Sequence, residues 1–246
     1  MNARIFRVEA ADELRAILRE PTALFFSILM PVAFFALFVS IFGNRPVGGD
    51  VPNGTRMVAT FGTFAVLAVT MLNPGITVAQ DREIGWLRAK RVSAVPVGLT
   101  LTAKLVAALP YAAGVLAVLA VTAALTGSLQ ASVGELLRIG GVLVLGSLPF
   151  ALLSLAVGFR ARANTAAAVL NAVLLPLAVL SGLWMPLEIL PGFVEHLAPY
   201  LPTYHLAQLA LSQLGAGAAA GHVLVLLATA VVAAGLAGLS YRHARL

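Results

Sequence analysis

The chain has 246 residues, of which 60% are hydrophobic and 11% charged, against roughly 25% charge in an ordinary soluble domain. With a mean hydropathy of +0.97, that balance excludes a water-soluble globular protein. The net charge of +6 would suit a nucleic-acid binder, but the basic residues flank apolar runs, where anionic lipid and orientation rules account for them, so no nucleic-acid partner is implied.

Residues 3–20 read as an amphipathic helix. Phe6, Ala10, Leu14 and Ile17 share one face, with Glu9, Asp12, Arg15 and Arg19 mostly opposite. Such a helix lies in the membrane interface with its charged face wet. Pro21 breaks it and opens the first apolar run, Thr22–Phe42. That run is too long for a cleaved leader and follows a segment with four acids, so it reads as a retained anchor. A membrane-crossing helix needs roughly 20 mainly apolar residues. Met57–Ala79, Leu105–Thr126, Ile139–Phe159, Ala163–Leu183 and Val223–Ser240 meet that length or nearly so, and none of the six runs contains Asp, Glu, Lys or Arg.

Between the runs lie short connections. Gly43–Arg56 is a polar external loop, and Asn73-Pro74-Gly75 in the second run predicts a kink and a candidate hinge. Gln80–Lys104 reads as the longest internal connection, Thr126–Glu135 as a short external turn, and Phe159–Thr165 as a tight internal one. Small residues crowd runs three, five and six (Ala112–Gly114, Ala166–Ala168 and Ala233–Gly235) and permit close helix approach. After the fifth run, Leu187, Leu190, Val194, Leu197 and Leu201 form a one-sided stripe that Pro186, Pro191, Pro199 and Pro202 chop into short helices. Residues 184–214 are therefore expected to form short external helices, lying at the outer interface or dipping back in. Trp184, Tyr200 and Tyr204 suit the headgroup belt.

Charge placement gives an orientation. Arg4, Arg7, Arg15 and Arg19 precede the first run, and Arg82, Arg88, Lys90, Arg91 and Lys104 lie between the second and third. Arg160 and Arg162 separate the fourth and fifth, and Arg242 and Arg245 follow the last. Only Arg45, Arg56 and Arg138 fall in the alternate gaps. Positive-inside bias then places both termini in the cytoplasm. The expected fold is an all-α integral membrane protein in one domain over 1–246. It has an entry helix at 1–21 and six spans at about 22–42, 57–79, 105–126, 139–159, 163–183 and 223–240.

Catalytic chemistry is missing from the pattern. Neither Lys90 nor Lys104 sits in a G-x-x-x-x-G-K-[ST] frame, so ATP hydrolysis by this chain is not expected. The chain has no cysteine, and His196, His205, His222 and His243 are scattered near the ends of the runs, so no metal is expected. Glu188 and Glu195, seven apart, share one helical face if that helix is continuous, and read as wet-side charges. The spans offer only Asn73, Asn171 and hydroxyls, whereas an ion-coupled carrier usually needs an ionisable group or a broken-helix site at depth. That favours a membrane scaffold driven from outside the bilayer. An ion-coupled secondary transporter and a non-transporting membrane assembly protein stay open as alternatives.

Two stretches carry a family resemblance. Asp81-Arg82-Glu83-Ile84-Gly85-Trp86-Leu87-Arg88, followed by Ala89–Pro96, is similar to the acidic-Arg-Glu-x-Gly-x-Leu segment of ABC-2 type permeases, the membrane subunits of ATP-binding-cassette transporters. Ser181-Gly182-Leu183-Trp184-Met185-Pro186, then Leu190-Pro191 and Leu201-Pro202-Thr203-Tyr204, resembles the family's Gly-x-x-x-Pro … Pro … Pro-x-x-Tyr pattern after the fifth span. Trp86 and Arg88 depart from the Thr and Glu often found there. The resemblance implies the permease half of an exporter in a bacterial plasma (inner) membrane, most simply a homodimer. A separate ABC ATPase subunit would bind ATP and Mg, and Asp81–Arg88 would be the element that couples to it. The cargo implied is a hydrophobic or amphiphilic compound, drug-like or lipid-like.

Overall fold

The computed structural model describes residues 2–19, 21–43, 51–87, 89 and 97–244. Among these there is no strand. The N-terminal segment is α1 (Asn2–Leu18), and α2 (Pro21–Phe42) begins at the proline, whose fixed φ and missing N–H suit a first helical position. Then come α3 (Asn53–Glu83), α4 (Val97–Leu125), α5 (Val133–Gly146), α6 (Leu148–Gly158) and α7 (Ala163–Leu180). Two short helices, α8 (Gly192–Leu197) and α9 (Pro202–Leu211), with single 3-10 turns around them, precede α10 (Ala220–Arg242).

Local chemistry sets these boundaries. Gly85 and Gly127, at φ +76° and +69°, take the left-handed conformation that stops α3 and α4 from propagating. A capping box starts α5: Ser132 Oγ accepts from the Glu135 N–H at 3.2 Å, and a Glu135 carboxylate oxygen accepts from the Ser132 N–H at 2.7 Å. Pro191 and Pro202 stand at the starts of α8 and α9.

Five helical segments among the described residues are long and apolar enough to cross a membrane: α3, Gly98–Leu125 of α4, the α5–α6 run Val133–Gly158, α7 and α10. α2 adds 22 residues without a charge. α3 is the axis of the bundle. Of its most apolar stretch 72% is buried, against 17% for α10, so α3 is enclosed by protein while α10 presents most of its surface outward. Phe61 of α3 meets Phe35 of α2 edge-on at 5.6 Å, in one core that also takes in Leu67, Leu119, Leu143, Leu174 and Leu206.

The α3–α6 crossing is especially close. A Cβ on Gly75 would lie 2.6 Å from the Ser154 carbonyl oxygen, and one on Gly158 would collide with the Gly75 carbonyl. Glycine at both positions lets two backbones touch, a packing mode that apolar surroundings favour.

The helices alternate in direction, so the residues sort to two ends. One end gathers the start of α4, the end of α3, the α6–α7 turn and Tyr241, which meets Phe159 edge-on at 5.3 Å. The other gathers the start of α3 and the α4–α5 turn, where Thr55 Oγ1 donates to the Ser128 carbonyl at 3.1 Å.

Several expectations need correction. The external loop expected over Gly43–Arg56 ends sooner, because α3 begins at Asn53; its residues 44–50 lie outside the described residues. The segment Gln80–Lys104 is not one long connection, because α3 continues to Glu83 and α4 already begins at Val97. The run expected at Ile139 starts at Val133, and it is two helices meeting at Ser147, where Pro149 opens α6. Glu188 and Glu195 do not share a continuous helix, since Leu190 and Pro191 separate the Leu187–Ile189 turn from α8.

Candidate functional site

The segment singled out by its charge, Asp81–Arg88, begins as the last turn of α3. Successive helical residues point about 100° apart. Three neighbours therefore reach three different elements. Asp81 Oδ2 pairs with Lys104 Nζ of α4 at 2.8 Å, and that ammonium also pairs with Glu13 of α1 at 2.7 Å. The Lys104 side chain is 4% exposed, so one cation is held between two carboxylates away from water. One turn earlier in α4, Thr100 Oγ1 donates to Glu9 of α1 at 3.3 Å. Glu9, expected to be wet, instead faces α4.

Arg82 turns the other way. Its two terminal nitrogens donate to the carbonyls of Phe159 and Ala161, each at 2.5 Å. Those carbonyls belong to the end of α6 and the turn beyond, where helical partners run out. A forked guanidinium fits two such acceptors at once. Glu83 accepts from the Ala163 N–H at 3.3 Å. That N–H is the first of α7, whose N-cap residue Arg162 supplies no side-chain hydrogen bond. A carboxylate from α3 thus takes the place of a local cap, at the helix end where negative charge is favoured.

Beyond Glu83 the chain turns at Gly85. Leu87 is fully buried and packs with Val78, Leu155 and Phe159. Ile84 and Trp86 project outward, 77% and 47% exposed. Arg88 lies outside the described residues, as do Lys90, Arg91 and the stretch to Pro96. The arrangement is a clamp: Asp81, Arg82 and Glu83 lock the end of α3 to α1, α4, α6 and α7, while two large apolar side chains face outward. The sequence marks these residues as a group. It carries no sign that Lys104, Glu13 and the Phe159 and Ala161 carbonyls belong with them, because those partners are remote in the chain, up to 79 positions from Arg82 in the case of Ala161.

The second group, Gly182, Trp184, Pro186, Pro191, Pro202 and Tyr204, lies at the other end. Gly182, at φ +68°, turns the chain out of α7, and Ser181 and Thr203 share a buried hydrogen bond at 2.5 Å. Trp184 meets Phe34 of α2 and Phe64 of α3 edge-on, at 5.7 and 5.1 Å. Gly182, Trp184, Pro186 and Tyr204 line a cavity of about 330 Å³. Pro191 and Pro202 are not among its lining residues and instead start α8 and α9. The structure also joins two histidines that look scattered in sequence: His205 Nδ1 and His222 Nδ1 are 2.8 Å apart, tying α9 to the first turn of α10. His205 Nε2 lies 2.8 Å from the Pro199 carbonyl and donates to it, so in the neutral ring Nδ1 accepts from His222. Among the described residues there is no cluster of three or more metal-ligating side chains.

Asn73, Pro74 and Gly75 lie mid-helix between these ends. Pro74 has no N–H to offer the Thr70 carbonyl one turn back. Thr77 Oγ1 donates to the Asn73 carbonyl at 2.9 Å, a side-chain contact that binds the turn around the proline.

Comparison with known proteins bears out the family resemblance. Residues 5–214 match the family described as ABC-2 type transporter. The chain is also 25% identical over 205 residues to YvfS of Bacillus subtilis (strain 168), a protein whose name classes it with the transport permeases; the match covers 82% of each chain.

Proposed function

This chain belongs to the ABC-2 type transporter family, and from that premise we propose that it is the permease subunit of an exporter for a hydrophobic or amphiphilic substrate, powered by a separate ATPase subunit. Two copies form the path, lined mainly by α2, α3 and α7, in a bacterial plasma membrane. α2 joins the other five apolar segments as the sixth span, with both termini and the Arg82 end in the cytoplasm. ATP and its Mg belong to the partner.

One observation carries the reading: the clamp at the end of α3. A partner that moved Ile84 and Trp86 would move a segment bound directly to α4, α6 and α7 and, through Lys104, to α1. The charges of the clamp are engaged within the subunit, so the docking contact itself is chiefly apolar, of the aromatic and aliphatic kind that dominates binding energy. Closure of the ATPase displaces the clamp, and the helices tilt between inward- and outward-open arrangements. ATP biases the equilibrium by its different affinity for the two states. The Gly75–Gly158 contact, next to Asn73 and Pro74, is the fulcrum at which α3 bears on α6.

The test uses the assembled complex. Arg82→Ala and Glu83→Ala are expected to uncouple it, lowering transport and substrate-stimulated hydrolysis together while the ATPase still co-purifies. Wild-type transport and hydrolysis in both variants would contradict the assignment. Gradient-driven transport by vesicles holding this chain alone would contradict the ATP-driven reading altogether.

A further inference from the structure

The cavity at the α9 end has a chemistry that the clamp does not use. Its volume, about 330 Å³, falls at the small end of the range for ligand pockets. Trp184, Met57 and Met185 give it apolar walls, and Glu188 and Glu195 stand at its edge. The ion pairs Arg15–Asp12, Lys104–Glu13 and Lys104–Asp81 lie in or beside α1 at the opposite end, and neither Glu188 nor Glu195 makes an ion pair or hydrogen bond among the described residues. Arg56 also lines the cavity but is already engaged. Tyr204 ionises above its ordinary range because it is part-buried and because the Glu188 charge opposes a tyrosinate. Unpaired carboxylates beside aromatic side chains favour an organic cation, through charge and through attraction to the ring electrons.

We propose that this cavity binds a cationic amphiphile, an organic ammonium with a small apolar body, its charge near Glu188 and Glu195 and its body against Trp184 and Tyr204. The inference names a substrate class for the exporter proposed above and rests on that reading for its biological role, but binding itself needs no ATPase. The site lies within one subunit.

Trp184 supplies the probe, because the chain has only two tryptophans. In a Trp86→Phe background, the permease alone in nanodiscs of zwitterionic lipid is titrated with hexyltrimethylammonium, with neutral 1-hexanol and with hexanesulfonate, and Trp184 fluorescence is read. The expected result is a saturable change with the ammonium alone, weakened roughly tenfold in Glu188→Gln/Glu195→Gln. Both glutamates are exposed, so the glutamine variants should fold, which a melting curve checks. Equal responses to all three compounds, an unsaturable response, or unchanged ammonium affinity in the double variant would overturn the site. Such a failure would leave the ATPase coupling untouched, since that is read by hydrolysis in the assembled complex; conversely, uncoupled hydrolysis with intact ammonium binding would spare the cavity.

Discussion

Lys104 shows how one side chain can fix the ends of three helices. Its ammonium sits between Glu13 and Asp81, and its side chain is almost wholly enclosed. Removing it leaves two carboxylates facing each other with little water to screen them. Taking one partner from a buried pair costs about 3–5 kcal/mol. Lys104→Met is therefore expected to lower the thermal unfolding midpoint in detergent markedly, and Glu13→Gln with Lys104→Met together should recover part of the loss, because fewer uncompensated charges remain. A midpoint unmoved by Lys104→Met would show that the ammonium does not hold these helix ends. Arg82 acts differently, through the shape of a guanidinium that spans the Phe159 and Ala161 carbonyls in parallel. At this scale the sequence is informative about which residues matter and silent about what they touch. Asp81, Arg82 and Glu83 stand out because charge at the end of an apolar run is conspicuous. Their partners are a lysine, two backbone carbonyls and a backbone N–H, distant in sequence, and periodicity carries no trace of them. His205 and His222 escape for the same reason: 17 positions apart, they meet only because α9 folds back onto α10.

Among the elements, α3 is legible in its apolar part and obscure at its end. Hydropathy locates where a run leaves oil, and a helix has no reason to stop there. α3 carries on through Gln80 to Glu83 because Gln, Arg and Glu are good helix formers, and stops near Gly85, which takes a left-handed conformation. The same reasoning explains α4, which starts at Val97 while the apolar run becomes uninterrupted only after Lys104. The break between α5 and α6 is hidden because Ser147 and Pro149 sit within a run of unbroken hydropathy. The α3–α6 contact offers an element-scale prediction. A side chain at Gly158 meets the Gly75 backbone, which cannot rotate away as a side chain would. Overpacking of this kind typically costs about 1–3 kcal/mol. Gly158→Val should lower the unfolding midpoint, whereas Gly114→Val, where a Cβ meets nothing within 4 Å, should leave it nearly unchanged. Equal midpoints in the two variants would show that the close approach is not required.

For the whole molecule, the account depends on which way round the bundle sits. Alternating charge in the sequence becomes two physical ends in the fold. The Arg82 end holds the clamp and the exposed Ile84 and Trp86. The other holds the cavity beside Glu188. Ile84→Asp should weaken co-purification of the ATPase by tenfold or more if the apolar pair is the docking contact. Glu188→Gln should not affect it. The chain has no native cysteine, so single cysteines report position without interference. Cysteine is placed at Ile84, and separately at Gln130, which is exposed in the turn between α4 and α5 at the opposite end, and intact cells are treated with a membrane-impermeant maleimide. The account predicts labelling at position 130 in intact cells, and at position 84 only after the membrane is opened. Labelling of position 84 in intact cells would put the clamp on the side where no ATPase operates, and would contradict the proposal.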